Sequence, residues 1–330
     1  MTSGPSMMRF RHSPRYMLCL MLLTGTMAAH GEQSPPADTG EQAETKPEQR
    51  APLAERSELE ALALERQLAA DEQQRLDAAG TQFLALWLPA NDPAPKGAVI
   101  LLPGDEESAD APRVIGPLRQ KLPDAGWHSL SLSLPDPQGA NLPIRVVESA
   151  PAAGEVPAEK PAEPATPEPA PTSAPATEPT QNAEAARAAH VERVFARIDA
   201  GIAFAGQQQA KTLVLMGHGS GAYWAARYIA ERKPANVAHL LLVDLRQPEG
   251  FESPINDLLA QLKASVGDFY YRDSTTARQA ALLRKQLSQR QKQPTFVQVG
   301  LDALPGNADV AEEQLFRRLR GWLDKQAGGK

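Results

Sequence analysis

The sequence predicts an α/β fold: a mainly parallel sheet with helices on both faces. Two observations carry that prediction. Short continuous apolar runs, among them Ala98–Leu102, Thr212–Met216 and Ala238–Val243, alternate with helical stretches, as strands covered on both faces do. At Lys211–Arg232 one such run breaks into Gly217-His218-Gly219-Ser220-Gly221, and an alanine-rich helix follows at once. That is a strand, a sharp turn and a helix.

Residues 1–31 read as a secretory signal. Arg9, Arg11 and Arg15 make a basic start, and Tyr16–Met27 is an apolar core too short to span a bilayer. An uncleaved anchor is the alternative; cleavage would leave no stable membrane span. Cys19 is the only cysteine of the 330 residues, so the mature chain would hold no disulfide and no thiolate chemistry. The expected location is the periplasm. A net charge of −6 and a pI of about 5.6, with no basic stripe, argue against a nucleic-acid partner. Mean hydropathy is −0.38. Once the polar tracts are set aside, roughly 240 residues remain, enough for one domain with a core.

Residues 32–56 are a linker of Pro, Glu, Gln, Ala and Thr, expected to be disordered. The domain then runs from 57 to 330. Ser57–Leu76 reads as a helix opened by a Ser57/Glu60 capping box, with Leu59, Leu62 and Leu68 as an apolar stripe. It either binds a partner or packs on its own domain, and packing is the preferred reading. Phe83–Pro89 and Ala98–Leu102 are strands, Val114–Leu122 a helix with Pro117 in its first turn, and Ser129–Leu134 another strand. Ala150–Asn182 changes character, with nine prolines, five glutamates and no aromatic residue. Both flanks are needed to complete one sheet, so it is an inserted, semi-rigid disordered loop, inert or able to dock an envelope protein. Beyond it the pattern gives helices at Ala183–Gln207, Ile255–Leu262, Ala277–Lys292 and Asp309–Lys325. Strands fall at Ala238–Val243, Gly267–Tyr271 and Thr295–Val299.

The turn at Gly217–Gly221 has the geometry requirements of a nucleophile elbow, G-x-S-x-G, in which small residues flank a strained apex. Placing Gly217 and Gly221 as the flanking residues puts Gly219 at the apex, where chemistry needs Ser, Cys or Asp. The stretches AVILLPG, GW…LSLSLP, MGHGSGAYWAARY and RLRGWL together resemble an uncharacterised family of exported α/β-hydrolase-like proteins of Gram-negative envelopes, a domain of unknown function. The likeness spans roughly Leu59–Leu323, broken by the Pro-rich insert. It implies the fold and brings no established reaction.

A hydrolase of this fold needs a nucleophile, an acid and a histidine in that chain order. Asp244, Asp268 and Asp273 are placed for the acid, though each also suits a cap or turn. The loop after the last strand, residues 300–308, contains no histidine, and the last histidine of the chain is His239. The preferred function is therefore non-catalytic binding or scaffolding, for an acyl, peptide or glycan ligand. The alternative is a weak serine esterase or acyl hydrolase using Ser220 with His218 or His128, and Asp273 as acid. On the preferred reading Ser220 caps its helix and His218 packs or hydrogen-bonds. Backbone donors at Ser220 and at Gly104 or Asp105 are expected to survive as a ligand-binding oxyanion hole with Gly219. The Asp105-Glu106-Glu107 run reads as a solvated turn. No metal spacing, phosphate loop or dinucleotide fingerprint is present, and no cofactor is expected.

Overall fold

The computed structural model describes residues 54–137, 178–251, 253–291 and 295–328, with side chains in the second stretch from 183 onward. The expected signal, most of the expected linker and most of the expected insert lie outside the described residues. Among the described residues eight strands form one sheet in the order β1-β2-β4-β3-β5-β6-β7-β8. They are β1 Gln73–Ala78, β2 Thr81–Leu88, β3 Gly97–Leu102, β4 Trp127–Leu132, β5 Leu213–His218, β6 Val237–Val243, β7 Ser265–Tyr271 and β8 Phe296–Leu301. The β1–β2 and β2–β4 pairs are antiparallel and all other pairs parallel.

Among the described residues seven α-helices connect and cover the sheet: α1 Arg56–Gln67, α2 Ile115–Lys121, α3 Glu178–Gln207, α4 Ser220–Arg232, α5 Ile255–Ala260, α6 Thr275–Arg290 and α7 Ala308–Gln326. One face of the sheet packs against α3, α4 and α5 through Ile100, Phe195, Ile198, Leu215, Trp224 and Leu242. The other packs against α2 and α7 through Val99, Ile115, Met216, Leu241, Leu319 and Trp322. Successive residues of β3 and β5 supply opposite faces, so both runs are apolar throughout, as a strand buried on both sides requires.

The expected elements recur, with three corrections. The helix expected over Ser57–Leu76 ends at Gln67, and its capping box is Glu55 with Glu58 rather than Ser57 with Glu60. Residues 73–76, expected as the end of that helix, belong to the edge strand β1, paired with β2 through a turn at Ala79-Gly80. Its sequence, QQRLDA, has one large apolar residue, because an edge strand is half solvated and its polarity guards the open edge. Helix α3 begins at Glu178, inside the stretch expected as insert.

His190 on α3 is buried against the Trp224 and Phe251 rings. Burial, helped by the nearby Arg193 cation, lowers its pKa to about 4, while Glu55 and Asp136 pull the other way. The folded value lies below the unfolded 6.5, so the unfolded chain binds a proton that the fold refuses. Stability should therefore fall as pH drops from about 6.5 to about 4, at up to about 1.4 kcal/mol per pH unit. Denaturant unfolding at pH 7, 6 and 5 measures this, and His190→Leu should flatten the slope in that window.

Candidate functional site

The elbow stands where the sequence places it. Gly219 follows β5 with φ 57° and ψ −122°, a conformation between strand and helix that costs glycine little and would strain any other residue. The flanking glycines are required by contact. A Cβ on Gly217 would lie 2.3 Å from Ala222 N, and one on Gly221 would lie 2.2 Å from Leu102 O. At the apex the situation is reversed: a Cβ on Gly219 would meet nothing nearer than Gly104 Cα at 3.9 Å. The socket for a nucleophile is open, and the residue in it has no side chain.

We expect Gly219→Ser to fold, at a cost of about 1–3 kcal/mol for a side chain at positive φ. Thermal unfolding of the variant beside the parent checks this. The new hydroxyl should not turn over esters, because among the described residues no imidazole is arranged to activate it.

Ser220 is not the helix cap. Gly219 holds that position, and Ser220 is the first residue of α4. Its Oγ accepts the Asp105 N–H at 2.6 Å. Burial pushes the Asp105 carboxyl up, and hydrogen bonds from the Ser220 hydroxyl and the Trp224 indole partly offset that. Glu107, read from sequence as a solvated turn residue, belongs to the site. Its Oε2 accepts the Gly104 N–H at 2.8 Å and faces His218 Nδ1 at 2.8 Å. Burial opposes ionisation of Glu107, but the His218 contact and the Gly104 N–H outweigh it and hold the carboxyl below its ordinary value.

These contacts change the expected oxyanion hole. Both candidate donors of the loop after β3 are engaged, Gly104 N–H by the Glu107 carboxylate and Asp105 N–H by the Ser220 hydroxyl. A substrate carbonyl would have to displace Glu107 to meet the Gly104 donor, or the Ser220 hydroxyl to meet that of Asp105. Of the expected ligand-binding set, Gly104, Asp105, Gly219 and Ser220 do converge, and one hydrogen bond, from Asp105 N–H to Ser220 Oγ, joins two of them.

The remaining catalytic candidates disperse. Among the described residues no histidine is within hydrogen-bond reach of Ser220 Oγ. His218 is turned to Glu107, and His128 Nδ1 accepts the Ala90 N–H at 3.0 Å beside the Trp87 ring. Asp244, at φ 47° after β6, pairs with Arg246. Asp268 is fully buried and holds Arg284 through two hydrogen bonds, with Gln298 as a third donor. Asp273 lies exposed in the turn after β7, where its carbonyl oxygen accepts from Arg278. The first residues beyond β7 and β8 are Arg272 and Asp302, paired at 2.6 and 2.7 Å. An exposed ion pair thus joins the strand ends that would carry the acid and the base in a hydrolase of this fold.

Among the described residues no group of three or more His, Cys, Asp or Glu is placed to hold a metal ion. No helix among them is long and apolar enough to cross a membrane.

Sheet order, crossovers and elbow define a protein of the α/β-hydrolase fold. The chain belongs to the family described as protein of unknown function (DUF3530), whose model matches residues 13–325. Two solved structures are similar to it. A putative dienelactone hydrolase from Klebsiella pneumoniae superposes with a TM-score of 0.51 at 14% identity, covering 77% of this chain and 97% of that one. An esterase from Pyrococcus furiosus gives 0.50 at 12% identity, covering 77% and 90%. At such identities the likeness is one of fold. No curated protein matches the sequence.

Proposed function

We propose that this is a periplasmic, exported protein that uses the α/β-hydrolase fold to bind or scaffold rather than to hydrolyse. The observation that carries the proposal is the apex at Gly219, whose conformation is that of a loaded elbow while its side chain is absent. Three further observations support it. Among the described residues no imidazole reaches the neighbouring Ser220 hydroxyl, the two loop donors are already engaged, and the late strands end in an Arg272–Asp302 pair. The basic and apolar N-terminus supports export. The ligand classes in view are acyl, peptide and glycan, and the Pro-rich insert at 150–182 is a candidate contact for an envelope protein.

Ester turnover tests the proposal against its rival, a weak acyl hydrolase working through Ser220. The protein should show no release of p-nitrophenol from short-chain esters above the level of Ser220→Ala. Turnover that vanishes in Ser220→Ala would install the rival. Deleting residues 150–182 and comparing captured envelope proteins separates a docking insert from an inert one.

A further inference from the structure

The two edges of the sheet are built differently. Edge β1, QQRLDA, carries Arg75 and Asp77 and is polar along most of its length. Edge β8, FVQVGL, carries no charged residue and no proline, and among the described residues no strand pairs with its outer side. Open edges are normally blunted by charge, proline, a bulge or a cover, because bare main-chain groups recruit another strand. The interior strands β3 and β5 are buried nearly throughout, whereas the residues from Phe296 to Gly300 are all half-buried.

Both faces of this edge are unfinished. On one, Val297 and Val299 only partly join the core under α7, whose Trp322 stands further in, over Gly267 of β7. On the other, Phe296 partly joins the opposite core, and Leu282 of α6 is 55% exposed. Helix α6 buries Ala281, Arg284 and Ser288, and its Leu287 lines a small cavity with Leu259 and Ala260 of α5. At about 3.6 residues per turn, Leu282 then falls on the flank away from α5, toward the β8 edge.

The edge is also complementary to itself. Thr295 O accepts the Val266 N–H and Leu301 O accepts the Arg272 N–H, so residues 295, 297, 299 and 301 turn their main chain to β7. With a period of two, Phe296, Gln298 and Gly300 turn theirs outward. Set two β8 strands antiparallel, with a two-fold axis at Gln298. Gln298 then pairs with Gln298, and Phe296 of each copy with Gly300 of the other, each pair exchanging both main-chain bonds. Between them, Val297 of each copy stands opposite Val299 of the other, in the closer positions where side chains meet. The run Val-Gln-Val reads the same in both directions, and Gly300 leaves room for the ring. A foreign strand could take the same main-chain bonds, but the second copy supplies these side-chain matches by symmetry.

Helix α6 packs on both β7 and β8. The same axis therefore sets it beside its copy at two strand spacings, roughly 10 Å, the distance at which helices pack, with Leu282 near Leu282. Arg278 and Lys285 are exposed on that flank and bring like charges to the rim of the seam, where salt screens them.

We propose that β8 is the docking edge for a second copy of this chain, paired antiparallel about Gln298 into one sheet shared by both. Such an interface closes after two copies and leaves the charged β1 edges outermost. The proposal goes beyond the reading of the elbow and does not depend on whether that site binds or hydrolyses.

Sedimentation equilibrium of the full chain reads the association. The parent should be a dimer at micromolar concentration. Leu282→Lys alters an exposed residue, so its circular dichroism should match the parent's while its dissociation constant rises about tenfold or more. Val299→Lys, which sets a charge against a valine of the other copy, should weaken the pair as well. Disulfide trapping tests the register, with Val297→Cys and Val299→Cys made separately on Cys19→Ser. Cα atoms across a non-hydrogen-bonded pair lie about 4.5 Å apart, within disulfide range. Oxidation of the two proteins mixed should therefore give a covalent dimer that neither gives alone. A parent that stays monomeric up to its solubility limit would overturn the proposal, as would a dimer indifferent to both lysine variants. So would covalent dimers forming as readily from either cysteine protein alone as from the mixture.

Discussion

Gly221→Ala should leave little folded protein. The new methyl would stand 2.2 Å from Leu102 O and 2.4 Å from Pro103 O, both backbone atoms of the strand end that carries the site. Neither can move without breaking the parallel register of β3 with β4 and β5. Overpacking an ordinary core position costs about 1–3 kcal/mol because side chains can adjust. Here the opposing atoms are main chain on both sides, and the expected loss is about 3 kcal/mol or more, a large share of a domain's stability. Gly217→Ala should behave alike, its Cβ meeting Ala222 N and Gly221 C and O at 2.3 Å. Gly219→Ala is the internal control, strained in φ but free of collision. Soluble yield and urea midpoints of the three variants should therefore split two against one.

Arg284→Ala should cost about 3–5 kcal/mol, the range seen when one partner of a buried ion pair is removed. Arg284 on α6 and Asp268 in β7 are nearly inaccessible, with side chains 5% and 0% exposed. The guanidinium gives Nε to Oδ2 at 2.8 Å and Nη2 to Oδ1 at 3.0 Å, and Gln298 of β8 adds a bond at 2.8 Å. Without Arg284 the carboxylate keeps, among the described residues, only Gln298 in a site that water does not reach. The pair ties α6 to the last two strands, so its loss should loosen that end of the sheet first. A double change to Asp268→Asn and Arg284→Met should recover much of the loss, since no charge is then left unpaired. Urea unfolding of the single and double variants decides between that outcome and simple loss of packing.

The sheet was legible because its central strands are buried on both faces and so print as unbroken apolar runs. Edge strand β1 was not, because half solvation removes the apolar pattern and QQRLDA then resembles the end of the preceding helix. The elbow was legible for a local reason: the approach of the helix to the strand forces glycine at 217 and 221, and that spacing fixes the apex at Gly219. The partners of the elbow were hidden. Glu107 meets His218 across 111 residues, and Ser220 meets the Asp105 N–H across 115, with no spacing rule linking them. The nearest sequence signal for Glu107 was its place just past a buried strand, and solvated turns share that place. Asp268 shows the reverse error, since a carboxylate late in the strand order suits a catalytic acid by position alone. Only its burial against Arg284 reveals a structural pair.

The most direct measurement is the intact mass of the protein after exposure to a fluorophosphonate, beside an active serine esterase as positive control. The account predicts an unmodified mass for the parent, and also for Gly219→Ser, where a hydroxyl is restored without a base. A stoichiometric adduct on the parent that maps to Ser220 would contradict it.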